Sequence, residues 1–579
     1  MAKEPRESKE PKEAGGIKDI ILKHALKNAI SYGGKASAGA VLGHVLAGNP
    51  NLRQNVPEVK KEIDKILAQV NSLSLAAQEA KLLSLAPEML EEKRAEVRIS
   101  LPELPNAEKG KVVMRFEPSP SGALHIGHAF VFLLNAEYCK KYDGKLYLRV
   151  SDTNPSNIHE PAYKLIEQEA RWITDCPFNF KLQSDNVETY YKYAEELIKK
   201  GKAYVCTCSS EQFKKLVDAG KACPHRELPA AQQMKEWKKM LTKGKEGYKE
   251  GQAVLRIKTD LKAKNPALRE WPAFRITESE HPKQGTKYRV WPLMNFAVAI
   301  DDALQGMTHV LRGKDHIVNT ERQLFIFDYM KWKKPHYIHI GRINFSNLKL
   351  SASATREAIE NKEYSGWDDI RLPFLAALKR RGLQPGAFAN YAIAIGPSKV
   401  DKTLSIEEFM QIIYDNDRKI LDPETDRYFF VQEPIKVSIE GAPKQDAKLP
   451  LHPEQDKGFR TLKTGKEFYL AQKDLDVINK VKDGQVFRLM HLFNFKNEEG
   501  RLKFHSQEHD PGLRAKLIHW LPADEKQLSR VVVKMPDGTE LGGWAEKSVE
   551  KLKQESVIQF ERFGFCCKQG KNEFWFGHR

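Results

Sequence analysis

A chain of 579 residues, 41 % hydrophobic and 30 % charged, has the length of roughly three to five globular units, each able to bury a core. It contains no run of about 18 apolar residues, which excludes a transmembrane helix. Its seven cysteines are too sparse for a disulfide framework and fit a reducing, cytoplasmic setting. The net charge of +17 is uneven: Lys199 to Lys264 holds 17 basic against 7 acidic residues. Such a concentration suits a polyanion such as nucleic acid, although a solvated lysine-rich face gives the same count.

Residues 1–16 alternate charges (Lys3, Glu4, Arg6, Glu7) with no apolar core behind them, which predicts a disordered tail and not a signal peptide. Over residues 17–100, Ile20, Ile21, Leu26 and Ile30, then Ile63, Leu67 and Val70, recur at helical spacing, so a small helical domain is expected. The Gly/Ala-rich piece from Gly33 to Gly48 is read as a connection between its helices. A linker with Pro87, Pro102 and Pro105 leads to residues 111–205, where strand and helix alternate. A strand through Val112, Val113 and Met114 enters a Pro/Ser/Gly turn, the turn opens a helix, and Asp143-Gly144 returns the chain to the strand Lys145 to Val150. Alternation of this kind predicts a parallel sheet with ligands at the strand ends. Residues 206–285 break the alternation and carry the basic cluster, as an insertion would. Residues 286–334 resume it and complete the sheet. Residues 335–421 are helical around one loop. From 422 to 579, short runs of Val, Ile, Phe and Tyr separated by turns such as Met535-Pro536-Asp537-Gly538 predict all-β barrels.

Three segments carry chemistry. The first is Arg115-Phe116-Glu117-Pro118-Ser119-Pro120-Ser121-Gly122-Ala123-Leu124-His125-Ile126-Gly127-His128. Backbone N–H groups at a helix entrance, beside small residues, form a phosphate site, and two imidazoles in that turn can stabilise charge developing on phosphate oxygens. Alone, it could also be an ordinary strand–turn–helix with two surface histidines. The second is Lys349-Leu350-Ser351-Ala352-Ser353, which by itself could be any surface loop. The third pairs Cys206-x-Cys208 with Cys223-x-His225, a ligand set suited to tetrahedral structural zinc; four unliganded residues on a basic surface are the alternative. Cys566-Cys567 has no matching pair and reads as buried strand. His309 and His316 read as core histidines, with a weaker tie of His316 to a nucleotide.

Taken together, the first two segments resemble the H-I-G-H turn and mobile K-M-S-K-S loop of class I aminoacyl-tRNA synthetases. The longer phrases Thr308-His309-Val310-Leu311-Arg312-Gly313-Lys314-Asp315-His316 and Gly366-Trp367-Asp368-Asp369, followed by Arg371-Leu372-Pro373, resemble the archaeal-type glutamyl members of the glutamyl/glutaminyl branch. The resemblance implies a multi-domain α/β fold. A Rossmann-type parallel-sheet catalytic domain is interrupted by an acceptor-binding insertion and flanked by an N-terminal helical domain, a helical domain with the loop, and C-terminal anticodon-binding β-barrels. It implies that Pro118 to His128 hold ATP, accompanied by Mg²⁺, with His125, Gly127 and His128 on the phosphates. Lys349, Ser351 and Ser353 would come from the loop, where Ala352 stands in place of the family's second lysine. Arg115, Ser119, Asp152 and Arg312 would meet the amino acid. Arg312 favours glutamate over glutamine, because a guanidinium pairs with a carboxylate and not with an amide; a structural ion pair is its alternative. The family usually places an acid that contacts the α-amino group where this chain has Ser151, so either Asp152 compensates or the ammonium is bound differently. Some members carry a similar C-x-C…C-x-H set, which implies structural Zn²⁺. The implied activity is formation of glutamyl adenylate from L-glutamate and ATP and transfer to tRNA-Glu, with charging of tRNA-Gln left open, by a cytoplasmic monomer with no membrane association. Glutaminyl-tRNA synthetase and a tRNA-binding protein with a decayed active site are the rivals.

Overall fold

The structure is a computed structural model that describes residues 17–31, 34–48, 55–86, 100–481 and 485–579. The expected tail, 1–16, lies outside the described residues. Among them no helix is long and apolar enough to cross a membrane.

An N-terminal unit forms a separate compact body. Its helices are α1 (Ile17–Ser31), α2 (Ala38–Gly48), α3 (Val56–Val70) and α4 (Leu75–Leu85). Ile21, Leu26, Val41, Val45, Ile63 and Leu82 are buried without exposure and form its core. The supposed Gly/Ala connection is therefore in large part a helix. Gly39 and Gly43 face open space, while Val41 and Val45, four residues apart, supply the inward stripe that the high glycine content obscured. Buried Gln78 donates Nε2 to the carbonyls of Gly34 and Val70, each at 2.9 Å, tying the connections together.

The larger unit begins with β1 (Val113–Phe116), α5 (Ile126–Lys141), β2 (Lys145–Val150), α6 (Ala162–Ile173) and β3 (Phe178–Leu182). The three strands are parallel, with Arg115 opposite Tyr147 and Leu148 opposite Phe180. Helix α7 (Val187–Lys199) leads into an antiparallel sheet of β4 (Ala203–Cys206), β5 (Val254–Ile257), β6 (Pro272–Ile276) and β7 (Val290–Pro292). Helices α8 (Ser210–Asp218) and α9 (Ala230–Leu241) lie within this segment. Its sheet runs past both expected boundaries, 206 and 285, because Ala203–Cys206 pairs with Val254–Ile257 and Val290–Pro292 with β6 instead of extending the parallel sheet. Buried Trp237, Phe274 and Phe296 anchor its core.

After α10 (Met294–Leu304) come β8 (His309–Gly313), α11 (Ile317–Met330) and β9 (His336–Ile340), with β8 and β9 parallel. Thr308 N–H donates to Val113 O at 3.0 Å, and Val113 N–H donates to Thr308 Oγ1 at 2.9 Å. The pair thus lies beside the free edge of β1, tied to it through Thr308, as a separate two-stranded sheet. The chain leaves β1 toward β2 on one side and returns as β8 on the other. That reversal is a topological switch point, where ligands enter α/β sheets outside the strand C-termini. Arg115 and Glu117 at the end of β1, and Arg312 near the end of β8, flank it.

The helical segment holds α12 (Ala352–Glu360), α13 (Leu375–Arg380), α14 (Pro385–Ile395) and α15 (Ile406–Leu421). The last starts with a reciprocal capping box of Ser405 and Glu408. The C-terminal region is mainly β, as expected, but it also holds a helix, Gln472–Lys480, between two strands; it has a two-stranded sheet and two seven-stranded ones. In one, the edge strands Lys516–Ile518 and Leu521–Pro522 are almost consecutive in the chain; in the other, Arg427–Tyr428 and Phe430–Gln432 are. Each sheet therefore curls until one bent segment supplies both edges, short of a closed ladder of hydrogen bonds. Cys566 and Cys567 are buried in the strand Gly564–Lys568.

Candidate active site

A desolvated charge cluster underlies the switch point. The fully buried Arg149 guanidinium donates Nη2 to Asp302 Oδ1 at 2.5 Å and to Glu117 Oε2 at 2.9 Å, and Nη1 to Gln305 Oε1 at 3.1 Å. Arg115, also buried, gives Nε and Nη2 to the two oxygens of Asp302, each at 3.3 Å. Burial alone would raise the Asp302 pKa, but Arg115 and Arg149 together hold it below the ordinary carboxylate value. Beside it, burial raises the Asp301 pKa; its oxygens accept from Gln183 (2.9 Å), Tyr190 (2.7 Å) and Asn186 (3.2 Å).

Arg312 differs from both of these arginines. It is buried, and its Nη2 donates to Gln323 Oε1 at 2.9 Å and to Thr320 Oγ1, both neutral. Its guanidinium carbon lies 5.1 Å from the centre of the Tyr337 ring. Burial, then the nearby Arg115, pull its pKa down to about 10. The structural ion pair that could have explained it is not present among the described residues. Around the switch point, Arg312 Nε, Glu117 Oε1, Tyr337 Oη and His128 Nδ1 are all buried without a hydrogen-bond partner. Buried polar atoms without partners also occur elsewhere among the described residues; these four lie by the strand ends, where a ligand can reach them.

The turn between β1 and α5 is pinned from outside. Pro118 O accepts from Ser151 N–H and Pro120 O from His159 N–H. Buried Glu169, its pKa raised to about 8 by desolvation, accepts Leu124 N–H at 2.6 Å and Ala376 N–H at 3.2 Å. Ser119 is exposed in this turn. His125 caps α5 with its side chain: Gly127 N–H donates to His125 Nδ1 at 3.1 Å, which puts the proton of the neutral ring on Nε2. A methyl group on Gly127 would press to 3.0 Å from the His125 ring, so glycine is what lets the ring fold back. The other first-turn donors are also engaged, Ile126 N–H with Pro373 O and the N–H groups of His128 and Ala129 with His125 O. The expected cradle of free backbone N–H groups is thus internally satisfied, and the two imidazoles are what the turn presents. They stack at 3.8 Å. Burial, then the neighbouring His128, pull the His125 pKa down to about 2, and burial brings His128 to about 4, so both are neutral near pH 7.

The second segment comes to the first. Lys349 is exposed in the loop before α12, and Ser351 caps α12 by accepting Ala354 N–H, with Ser353 Oγ 3.1 Å from its hydroxyl. A methyl group on Gly122 would lie 2.4 Å from the Trp367 ring and 3.1 Å from Ala352 Cβ. Gly122 is therefore a point where turn and loop come close enough to exclude a side chain.

Asp152 and Ser151 are both engaged by neighbouring residues. Asp152 is fully buried; its oxygens accept Ser184 N–H (2.8 Å), Ser184 Oγ–H (2.7 Å) and Tyr163 Oη–H (2.9 Å), with His281 Nε2 at 3.6 Å. Three donors thus occupy this buried carboxylate, which holds the loop after β2. Ser151 is committed as well, donating to Gln183 Oε1 at 2.8 Å. His309 bonds Pro105 O and Thr308 Oγ1 and belongs to the core, whereas His316 sits half-buried on the turn after β8.

In the insertion, the ligand atoms of Cys206, Cys208, Cys223 and His225 all lie within 4.8 Å of one another. Cys223 Sγ is 3.8 Å from Cys206 Sγ and 3.7 Å from His225 Nδ1, and Cys208 Sγ is 3.5 Å from that nitrogen. Zinc with Zn–S bonds near 2.3 Å would place neighbouring sulfurs about 3.8 Å apart, so the donor set fits a tetrahedral ion. Thr207 Oγ1, 2.9 Å from His225 Nε2, orients the ring with Nδ1 toward the sulfurs, as an outer partner does in metal sites.

Sequence reading assigned no role to Glu117, Arg149, Asp301 or Asp302. Two signals were present: an arginine in the apolar strand Lys145–Val150, and paired aspartates in the apolar helix Met294–Leu304.

Residues 111–417 match the family model described as tRNA synthetases class I (E and Q), catalytic domain, and residues 425–510 and 517–569 match two anti-codon binding domain models of the same group. A protein named glutamate–tRNA ligase from Pyrococcus abyssi is 46 % identical over 95 % of this chain and 96 % of its own. One of the same name from Methanothermobacter marburgensis is 41 % identical over 97 % of this chain and 100 % of its own.

Gly122→Ala should lower stability by about 1–3 kcal/mol through overpacking and alter Trp367 fluorescence. Shrinking the ring in Gly122→Ala/Trp367→Leu should make the two effects less than additive in urea unfolding. The neutral imidazoles give a second expectation. Below pH 6.5 the unfolded chain takes up protons that buried His128 refuses down to about pH 4, so stability falls as pH drops through that window. The contribution is at most about 3 kcal/mol, since part of the ring stays in contact with water. His128→Ala should flatten the slope of unfolding free energy between pH 6.5 and 5.

Proposed function

Because the chain belongs to the class I glutamyl and glutaminyl tRNA synthetase family, we propose that it is a glutamate–tRNA ligase. It activates L-glutamate with ATP to glutamyl adenylate and transfers the glutamyl group to the 3′ end of tRNA-Glu. Arg312 is the observation that carries the choice of substrate. A buried guanidinium with neutral partners and an unsatisfied Nε invites the side-chain carboxylate of glutamate. An amide would place its NH₂ donors against more donors.

In activation, a carboxylate oxygen of glutamate forms a bond to the α-phosphorus of ATP, and the bond to the bridging oxygen breaks as pyrophosphate leaves. His125, through Nε2–H, and His128 are the donors that face the phosphates from the turn, and their neutral state keeps them ready to donate as charge grows. Lys349, with Ser351 and Ser353, approaches from the loop, which Ala352 leaves with one charge fewer than the family pattern. Arg115 and Arg312 fix the amino acid so that attack is intramolecular in effect. Mg²⁺ accompanying ATP would neutralise part of the phosphate charge. In transfer, the terminal ribose hydroxyl of the tRNA attacks the acyl carbon and AMP leaves.

Cys206, Cys208, Cys223 and His225 would hold a structural Zn²⁺ that fixes the insertion. Exposed Lys214, Lys215, Lys221, Lys235, Lys238 and Lys243 on that insertion suit the acceptor end of the tRNA, and the two C-terminal β regions suit the anticodon. The enzyme belongs in the cytoplasm, in keeping with the family's role in translation and the free thiols of its cysteines.

In pyrophosphate exchange with tRNA present, Arg312→Cys should raise the glutamate KM by a factor of tens to about a thousand, since losing a buried charged pair costs on the order of 2–5 kcal/mol. Arg312→Lys should recover only part. Unchanged glutamate kinetics in Arg312→Cys would remove Arg312 from recognition. For the metal, purified protein should contain zinc at one ion per chain, and Cys223→Ser should lose it and expose the 206–285 segment to protease. Zinc-free protein with freely reactive thiols would reject the site.

A further inference from the structure

Glutamate brings two carboxylates and one ammonium, and a site that accepts it must offer an acceptor as well as guanidinium groups. Near the switch point, the oxygens of Asp302 take Arg115 and Arg149, those of Asp301 take Gln183, Tyr190 and Asn186, and those of Asp152 take Ser184 and Tyr163. Ser151 is uncharged and its hydroxyl is engaged with Gln183. Glu117 stands apart. Its side chain is 9 % exposed; Oε2 is held by Arg149 at 2.9 Å, and Oε1 is buried with no donor.

We propose that Glu117 Oε1 receives the α-ammonium of the substrate amino acid. Glu117 follows Arg115 by two residues along the end of β1, so both side chains leave the same face of the sheet at the strand ends where the ligand enters. An unpaired buried carboxylate oxygen is costly, and an ammonium supplies three donors and the opposite charge. Arg149 fixes the carboxylate from its other oxygen, so one edge is anchored and the second stays open. The cluster then presents both complements of a zwitterion: an acceptor without a donor at Glu117 and a guanidinium without a carboxylate at Arg312.

The assignment rests on the glutamate–tRNA ligase reading, and the test separates the two. Glutarate has the same chain and both carboxylates but no amino group. In tRNA-dependent pyrophosphate exchange by the full-length protein, the KM for glutamate and the inhibition constant of glutarate are measured side by side. Glu117→Gln keeps an oxygen for Arg149 and turns an NH₂ donor toward the ammonium. It should raise the glutamate KM at least tenfold while leaving glutarate inhibition unchanged or stronger. Ser151→Asp added to Glu117→Gln should restore part of the glutamate preference. Equal weakening of both ligands, or no change in either, would overturn the assignment and leave Glu117 as a support for Arg149. Should Glu117→Gln lower the melting temperature enough to prevent assay, Glu117→Asp, which retracts the carboxylate by one methylene, must still weaken glutamate more than glutarate. Wild-type protein without glutamate-dependent exchange would instead overturn the parent reading.

Discussion

The constraint on which this molecule turns is the burial of Arg149. A guanidinium removed from water is tolerable when its charge is matched, and here Glu117, Asp302 and Gln305 take the hydrogen bonds of its two Nη atoms while Asp301 lies 3.7 Å from Nε, which makes none. Those partners come from the end of β1 and from α10 and its terminus, so the pairing locks strand, helix and the adjoining loop into one arrangement. Burial alone would lower the arginine's pKa, yet the three carboxylates outweigh it and hold the charge in place. The same matching fixes Arg115 against Asp302, and it leaves Glu117 Oε1 and Arg312 as the open ends of the network. The groups left open are those a zwitterion would close, so the network that gives rigidity also prepares the site.

The turn at His125 works by a different device. Its helix entrance uses its own N–H groups for capping, and what it offers outward is a stacked pair of neutral imidazoles. Keeping them uncharged costs the folded state something at acid pH, and it leaves each ring with one N–H donor and no counterion. The loop meets the turn at Gly122, where the absence of a side chain lets Trp367 and Ala352 come close.

Much of this was legible in the chain itself. The alternation of strand and helix, the Pro-Ser-Pro-Ser-Gly turn before His125, the paired cysteines and the short β runs after residue 422 are local patterns set by backbone propensity and periodicity, and they identified the architecture. The reading failed where glycine hid an inward stripe, as in Ala38–Gly48, and where a strand's partner lay elsewhere, as with Ala203–Cys206. Strand pairing is decided by a distant segment, and no local pattern announces it.

The site divides along the same line. Residue types at fixed offsets, such as His125 with His128 or Cys206 with Cys208, declare their chemistry because neighbours in sequence remain neighbours in space. Whether a charged group is free or already matched depends on residues far along the chain. Asp152 looks available until Ser184 and Tyr163 enclose it, and Glu117 looks like a turn residue until Arg149, 32 positions on, takes one of its oxygens and leaves the other. The sequence by itself determined which chemistry the chain contains; only tertiary packing decided which of those groups remained open, because desolvation and pairing are properties of the assembled interior.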